Sequence, residues 1–139
     1  MKKVSKLVGK AQRGMTLLEI MIVLAILALI MGLVVGPRVM KMFGESKVDT
    51  TRIKAKKYAF EAMPQWSMHN PGKACPASIN DLNEYMNDSS ADAANDAWGQ
   101  PMRLLCGPSL PQGQKGVLVL SSGEDMKDGT ADDIKSSDP

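Results

Sequence analysis

Histidine occurs once in this 139-residue chain and cysteine twice. The single histidine, His69, stands in a stretch rich in proline and asparagine, where it reads as a surface residue and not as a ligand or catalyst. Cys75 and Cys106 lie too far apart for a C-x-x-C metal or redox motif. No nucleophile–base pair, histidine-rich metal site or phosphate loop is recognisable, so nothing points to an enzyme. Acids are missing from the first fourteen residues, which carry Lys2, Lys3, Lys6, Lys10 and Arg13.

That last absence makes the overall charge of +2 misleading. Without those five cations, 12 bases face 15 acids, a balance of roughly −3. From Arg38 to Lys73 there are eight bases and three acids; from Ala74 onward there are four bases and eleven acids. The basic isoelectric point therefore gives no reason to expect a nucleic-acid partner.

From Met15 to Val35 every residue is apolar or small except Thr16 and Glu19. This is about the length that spans a bilayer core as a helix. A secretory signal would have a shorter apolar core followed by its cleavage site. Here the basic block and Gly14 precede the apolar run, so cutting at Gly14 would leave that run on the mature chain. The cationic flank predicts a cytoplasmic N-terminus, with the bulk of the chain facing outward. Glu19, about one turn into the segment, either marks function or is tolerated because it reaches the headgroup region.

Gly36-Pro37 interrupts the helical pattern and predicts a kink or a short melted stretch. Arg38 to Met63 is again helix-friendly, with Val39, Phe43, Ile53, Phe60 and Met63 as candidates for burial, and Pro64 ends the helix. A connecting loop follows. It contains one short helix, Ser78 to Met86, in which Ser78 caps toward Asp81. Met102–Cys106 and Val117–Ser121 are the strand candidates. Asp96-Ala97-Trp98-Gly99-Gln100-Pro101 reads as a tight turn with Trp98 capping the core. Ser121 to Ile134 holds five acids against one lysine. Such a segment is either a solvated loop or an oxygen-rich site for a hard cation; it does not fit an EF-hand. Cys75 and Cys106 are either a disulfide, the default for a small exported domain with little core, or two buried thiols.

Arg13-Gly14-Met15-Thr16-Leu17-Leu18-Glu19-Ile20-Met21 resembles the processing motif of type IV pilins and of the pseudopilins of type II secretion. The chain departs from that motif at Met15, where phenylalanine is usual. The resemblance implies cleavage after Gly14 by a prepilin peptidase and N-methylation of Met15. It also implies an assembly role for Glu19, paired with the new ammonium of Met15 on a neighbouring or the same subunit. The Trp98 turn and the acidic loop resemble features of the major pseudopilin, with Ala97 in place of a proline and Met126 in place of a glycine. By that likeness Asp125, Asp132, Asp133 and the carbonyl of Ser122 would bind Ca2+, with Glu124 and Asp128 as further oxygens. The implied fold is α+β: a long N-terminal helix whose second half packs on a small antiparallel sheet. The expected divisions are a leader at 1–14, a transmembrane and assembly helix at 15–37, the periplasmic half of the helix at 38–64, and the loop, sheet and calcium loop at 65–139. The expected role is a structural subunit of a periplasmic filament driving type II secretion, held first in the inner membrane as a single-pass protein. Its expected partners are copies of itself, minor pseudopilins and the inner-membrane secretion platform. The alternative within the superfamily is a subunit of a surface type IV pilus. Outside it, the alternative is a monomeric, membrane-anchored calcium-binding module.

Overall fold

The computed structural model describes residues 14–88 and 90–139. The leader cations Lys2, Lys3, Lys6, Lys10 and Arg13 lie outside the described residues. The chain divides into two units, residues 1–40 and 41–139. Helix α1, Leu17–Lys57, begins in the first and ends in the second.

In the first unit, of the kink or melted stretch expected at Gly36-Pro37, the melted stretch is corrected. Helix α1 runs through Pro37 with no melted stretch. The aliphatic run before it favours helix on both sides of a single missing amide, whose cost of about 3 kcal/mol a long helix can absorb. Apart from half-buried Gly36, every residue from Met15 to Met40 is exposed.

The second unit corrects the expected helix end at Pro64. After Lys57 the chain makes a π turn, Tyr58–Ala62, and continues as α2, Met63–His69. The Met63 amide donates to the Tyr58 carbonyl, five residues back. The widened turn restarts the helix, and Pro64 falls in the first turn of α2, where a backbone donor has no intrahelical partner to lose.

The buried face of this helical stretch is made of small residues plus two aromatics. Thr51, Ala55, Tyr58, Ala59, Ala62 and Trp66 recur at helical spacing and are all buried. Of the residues expected there, Phe43, Ile53 and Phe60 are 63%, 57% and 66% exposed and Val39 is also exposed, whereas Met63 is half-buried and packs against the core. Alanines let the helix backbone approach its partners closely, so the larger side chains fit only on the opposite face.

The core partners come from three places. Ile79 and Leu82 belong to a short 3-10 helix, Ile79–Tyr85. Its start carries the expected cap: Ser78 and Asp81 form a reciprocal capping box. Ala94 and Met102 flank the turn that leads into the sheet, and Val119 comes from the sheet itself. Tyr58, fully buried, donates its hydroxyl to Asn83 Oδ1 at 2.7 Å. Burial, followed by the nearby Asp88 charge, pushes the Tyr58 phenol up to about 12.

The sheet has three antiparallel strands in the order β1 (Arg103–Cys106), β2 (Val117–Ser121) and β3 (Ile134–Lys135). In the register Arg103 pairs with Leu120, Cys106 with Val117, and Ser121 with Ile134. β2 is central, and Leu118 to Ser121 are all buried. Together these elements make the α+β architecture expected from the sequence: a long N-terminal helix and a small antiparallel sheet.

Candidate functional site

In the first unit, Gly14, Met15 and Thr16 precede the helix and are non-helical and exposed. A Cβ added at Gly14 would meet nothing within 4 Å. Thr16 is the N-cap of α1. Its hydroxyl accepts the Glu19 amide at 3.2 Å, and its carbonyl accepts the Ile20 amide at 3.3 Å. Glu19 is therefore the third helical residue and the acid of the first turn, where the aligned peptide dipoles favour a negative charge. Thr-x-x-Glu ahead of an apolar run is a capping signature, and it is the signal in the sequence for this local role of Thr16 and Glu19. Beyond Glu19 the helix carries no charged side chain until Arg38. The continuous helical stretch Leu17–His69 is long and apolar enough to cross a membrane, and its apolar window is wholly exposed.

In the second unit, the Asp96 turn is organised by a buried carboxylate. Asp96 Oδ1 accepts the amides of Trp98 and Gln100 at 3.0 and 2.9 Å, and Oδ2 accepts the Ser121 hydroxyl at 2.6 Å. The Ala97 amide donates to Thr51 Oγ1 at 3.1 Å, which ties the turn to the helix. Trp98 in this turn is half-buried, and the tryptophan of the core cluster is Trp66.

Ser121 links this turn to the acidic loop, since its hydroxyl also accepts the Gly123 amide at 3.2 Å. The loop joins β2 to β3. Gly123 has φ +65°, and a Cβ there would lie 2.3 Å from the Asp132 carbonyl oxygen, so only glycine fits. Asp132 Oδ2 accepts the Asp125 amide at 3.0 Å, and Asp133 Oδ2 accepts the Gly129 amide at 2.8 Å. The Thr130 hydroxyl lies 2.6 Å from Asp132 Oδ1, 3.2 Å from Asp125 Oδ1 and 3.4 Å from Asp133 Oδ1. It also lies 3.1 Å from the Lys127 carbonyl. A hydroxyl has one proton, so it can donate to only one of these four oxygens at a time. Its hydrogen bond, followed by that of the Asp125 amide, holds the Asp132 carboxyl below its usual range.

The structure thus brings Asp125, Asp132 and Asp133 together around Thr130. Ser122 sends its side chain elsewhere, to Asp128, which is also held by Arg103 at 2.8 Å. Glu124 is exposed. The donor chemistry is all oxygen, which suits a hard cation. Among the described residues, however, no three His, Cys, Asp or Glu side chains are gathered as a metal cage. Cys75 and Cys106 form a disulfide, with Cα atoms 6.0 Å apart, joining the segment after the helix to the end of β1.

Residues 9–35 match the family described as the Prokaryotic N-terminal methylation motif. Comparison with curated proteins and with solved structures gives no match. The matched stretch contains Gly14, Met15, the Thr16 cap and Glu19. The N-terminal segment is thus that of a prepilin-type substrate, as found in type IV pilin-like proteins.

Proposed function

We propose that this chain is a major pseudopilin: a non-catalytic subunit of a periplasmic filament that drives type II secretion. It is cut after Gly14 by a prepilin peptidase, methylated on Met15, and anchored in the inner membrane until it assembles. The observation that carries the subunit reading is Glu19, the sole charged side chain between Gly14 and Arg38, on an exposed apolar stretch of helix and within the matched methylation motif. An acid buried in a filament core needs a cationic partner. Cleavage creates one in the ammonium of Met15, on the same or a neighbouring subunit.

Support for a pseudopilin over a pilin comes from the second unit. The Asp96 turn feeds directly into the base of the acidic loop through Ser121. In this reading the loop takes a calcium ion through Asp125, Asp132, Asp133 and the Ser122 carbonyl, with structural effect only. Three of those four residues already converge on Thr130. A cation would neutralise oxygens that a single hydroxyl proton cannot satisfy.

The first test is the mass and N-terminal sequence of the membrane-extracted protein. A methylated Met15 start is expected; an intact Met1 would leave only a membrane-anchored module. The second test is gene deletion. Exoproteins retained in the periplasm support the pseudopilin, whereas loss of surface pili with normal secretion supports the pilin. The third is calcium titration. A rise in thermal stability with calcium, abolished by Asp132→Asn, is expected; an unchanged melting temperature refutes calcium binding.

A further inference from the structure

Two exposed features of the 41–139 unit are not used by its own packing. The first is a groove of about 410 Å³ beside Phe60, lined by Ala59, Met63, Pro64, Lys115 and Val117 among others. A second depression shares Phe60, Lys115 and Val117 with it. No acid lines either of them, and Lys115 is exposed. Glu61, next to Phe60 in sequence, belongs to neither lining.

The second feature is Met126, on the acidic loop. It is 52% exposed and has φ 56°, a left-handed conformation that glycine adopts freely and a methionine does not. Glu124 and Asp125 precede it, and Lys127 and Asp128 follow. Asp128 is already held by Arg103. An apolar, adaptable side chain is therefore presented to solvent at a position where local geometry favours having none, two residues after the exposed carboxylate of Glu124. Its surroundings complement the groove in charge: Met126 follows Glu124 on a loop of five acids and one lysine, and the apolar slot has Lys115 at its edge and no acid in its lining.

We propose that Met126 of one copy seats in the groove beside Phe60 of a second copy, with Glu124 facing Lys115. This rests on the filament-subunit reading. The plug and the slot lie on different parts of one chain, so the contact is heterologous and can repeat head to tail without closing.

The test uses the full-length chain in native membranes carrying Met126→Cys and Lys115→Cys together. Cys75 and Cys106 are disulfide-bonded, so the introduced thiols are the reporters. Oxidation is expected to give a ladder at multiples of the chain mass. Either single variant, or Met126→Cys paired with Asn80→Cys, is expected to give none. Electron microscopy of the same preparations scores filaments. Filaments without a ladder overturn the contact and leave the subunit reading standing; no wild-type filaments at all overturn both. Adducts of other masses mean a different occupant and overturn the contact. Met126→Gly, which relaxes the backbone, is expected to keep or raise the melting temperature while cutting assembly at least tenfold, and Met126→Leu is expected to restore assembly. Unchanged assembly in Met126→Gly overturns the proposal.

Discussion

The Thr16 hydroxyl accepts the backbone amide of Glu19 at 3.2 Å, so the residue that starts the apolar helix also fixes the turn that carries its one acid. The Glu19 carboxylate is not needed for that bond, because its amide is the donor. Glu19→Ala should therefore preserve helix initiation and leader removal, yet assemble poorly. Thr16→Val should loosen the helix start, at a cost of about 1 kcal/mol. Leader cleavage by mass spectrometry and crosslinked ladders separate the two effects. Efficient ladder formation by Glu19→Ala would refute the assembly role.

The buried alanine stripe predicts an overpacking effect. Ala62 is fully buried in the cluster with Tyr58, Trp66 and Val119. Ala62→Leu should destabilise the 41–139 unit by about 1–3 kcal/mol. Thermal melting of the detergent-solubilised protein, followed by tryptophan fluorescence, reads this directly.

Much of this was legible in the residues, and the failures have local causes. Glu19 stands out because a charge in an apolar run is costly, and Gly14 because it marks the junction of the basic block and that run. Val117–Ser121 is a strand as expected, Arg103–Cys106 falls within the expected Met102–Cys106, and Ser78 caps as its spacing to Asp81 suggested. Proline is normally a helix stop, and the preceding π turn is what lets the helical stretch continue through Pro64. The buried face differs from the expected one because close helix packing selects alanine over larger apolar residues. β3 has two residues, too few for any alternation to show, and is recruited by the register of β2. The convergence of three aspartates on Thr130 depends on a loop path set by Gly123, Met126 and Gly129, all with positive φ.

Asp96 should be the costliest polar residue to lose. It accepts three hydrogen bonds while buried. Asp96→Ala is expected to cost roughly 3 kcal/mol or more, because it strands two amides and a hydroxyl. Asp96→Asn should cost less. Urea denaturation of both variants against the parent tests the order.

Breaking the disulfide removes a cross-link between residues 31 apart in sequence. Replacing both cysteines with serine should cost about 3–4 kcal/mol by loop entropy. Melting under oxidising and reducing conditions should show the same difference in the parent and none in the variant.

Tyr58 gives an alkaline transition. Its folded pKa is raised to about 12 from 10.0. Below pH 10 both states keep the proton and stability is unaffected. From pH 10 toward 12 the unfolded phenol ionises while the folded one does not, so stability falls as pH rises. Tyr58→Phe should remove that slope at the expense of the bond to Asn83. Melting curves across this range, parent against variant, provide the check.

The alanine-lined contact also changes how mutational data on this chain should be interpreted. In most domains large apolar residues are intolerant of change because the fold needs them. Here a stability screen on the isolated subunit would find Phe43, Ile53 and Phe60 expendable and the alanines strict. Any constraint that keeps those three side chains large must act on a state that the isolated chain does not reach, and under the proposed function a screen for assembly should rank the same positions in the reverse order.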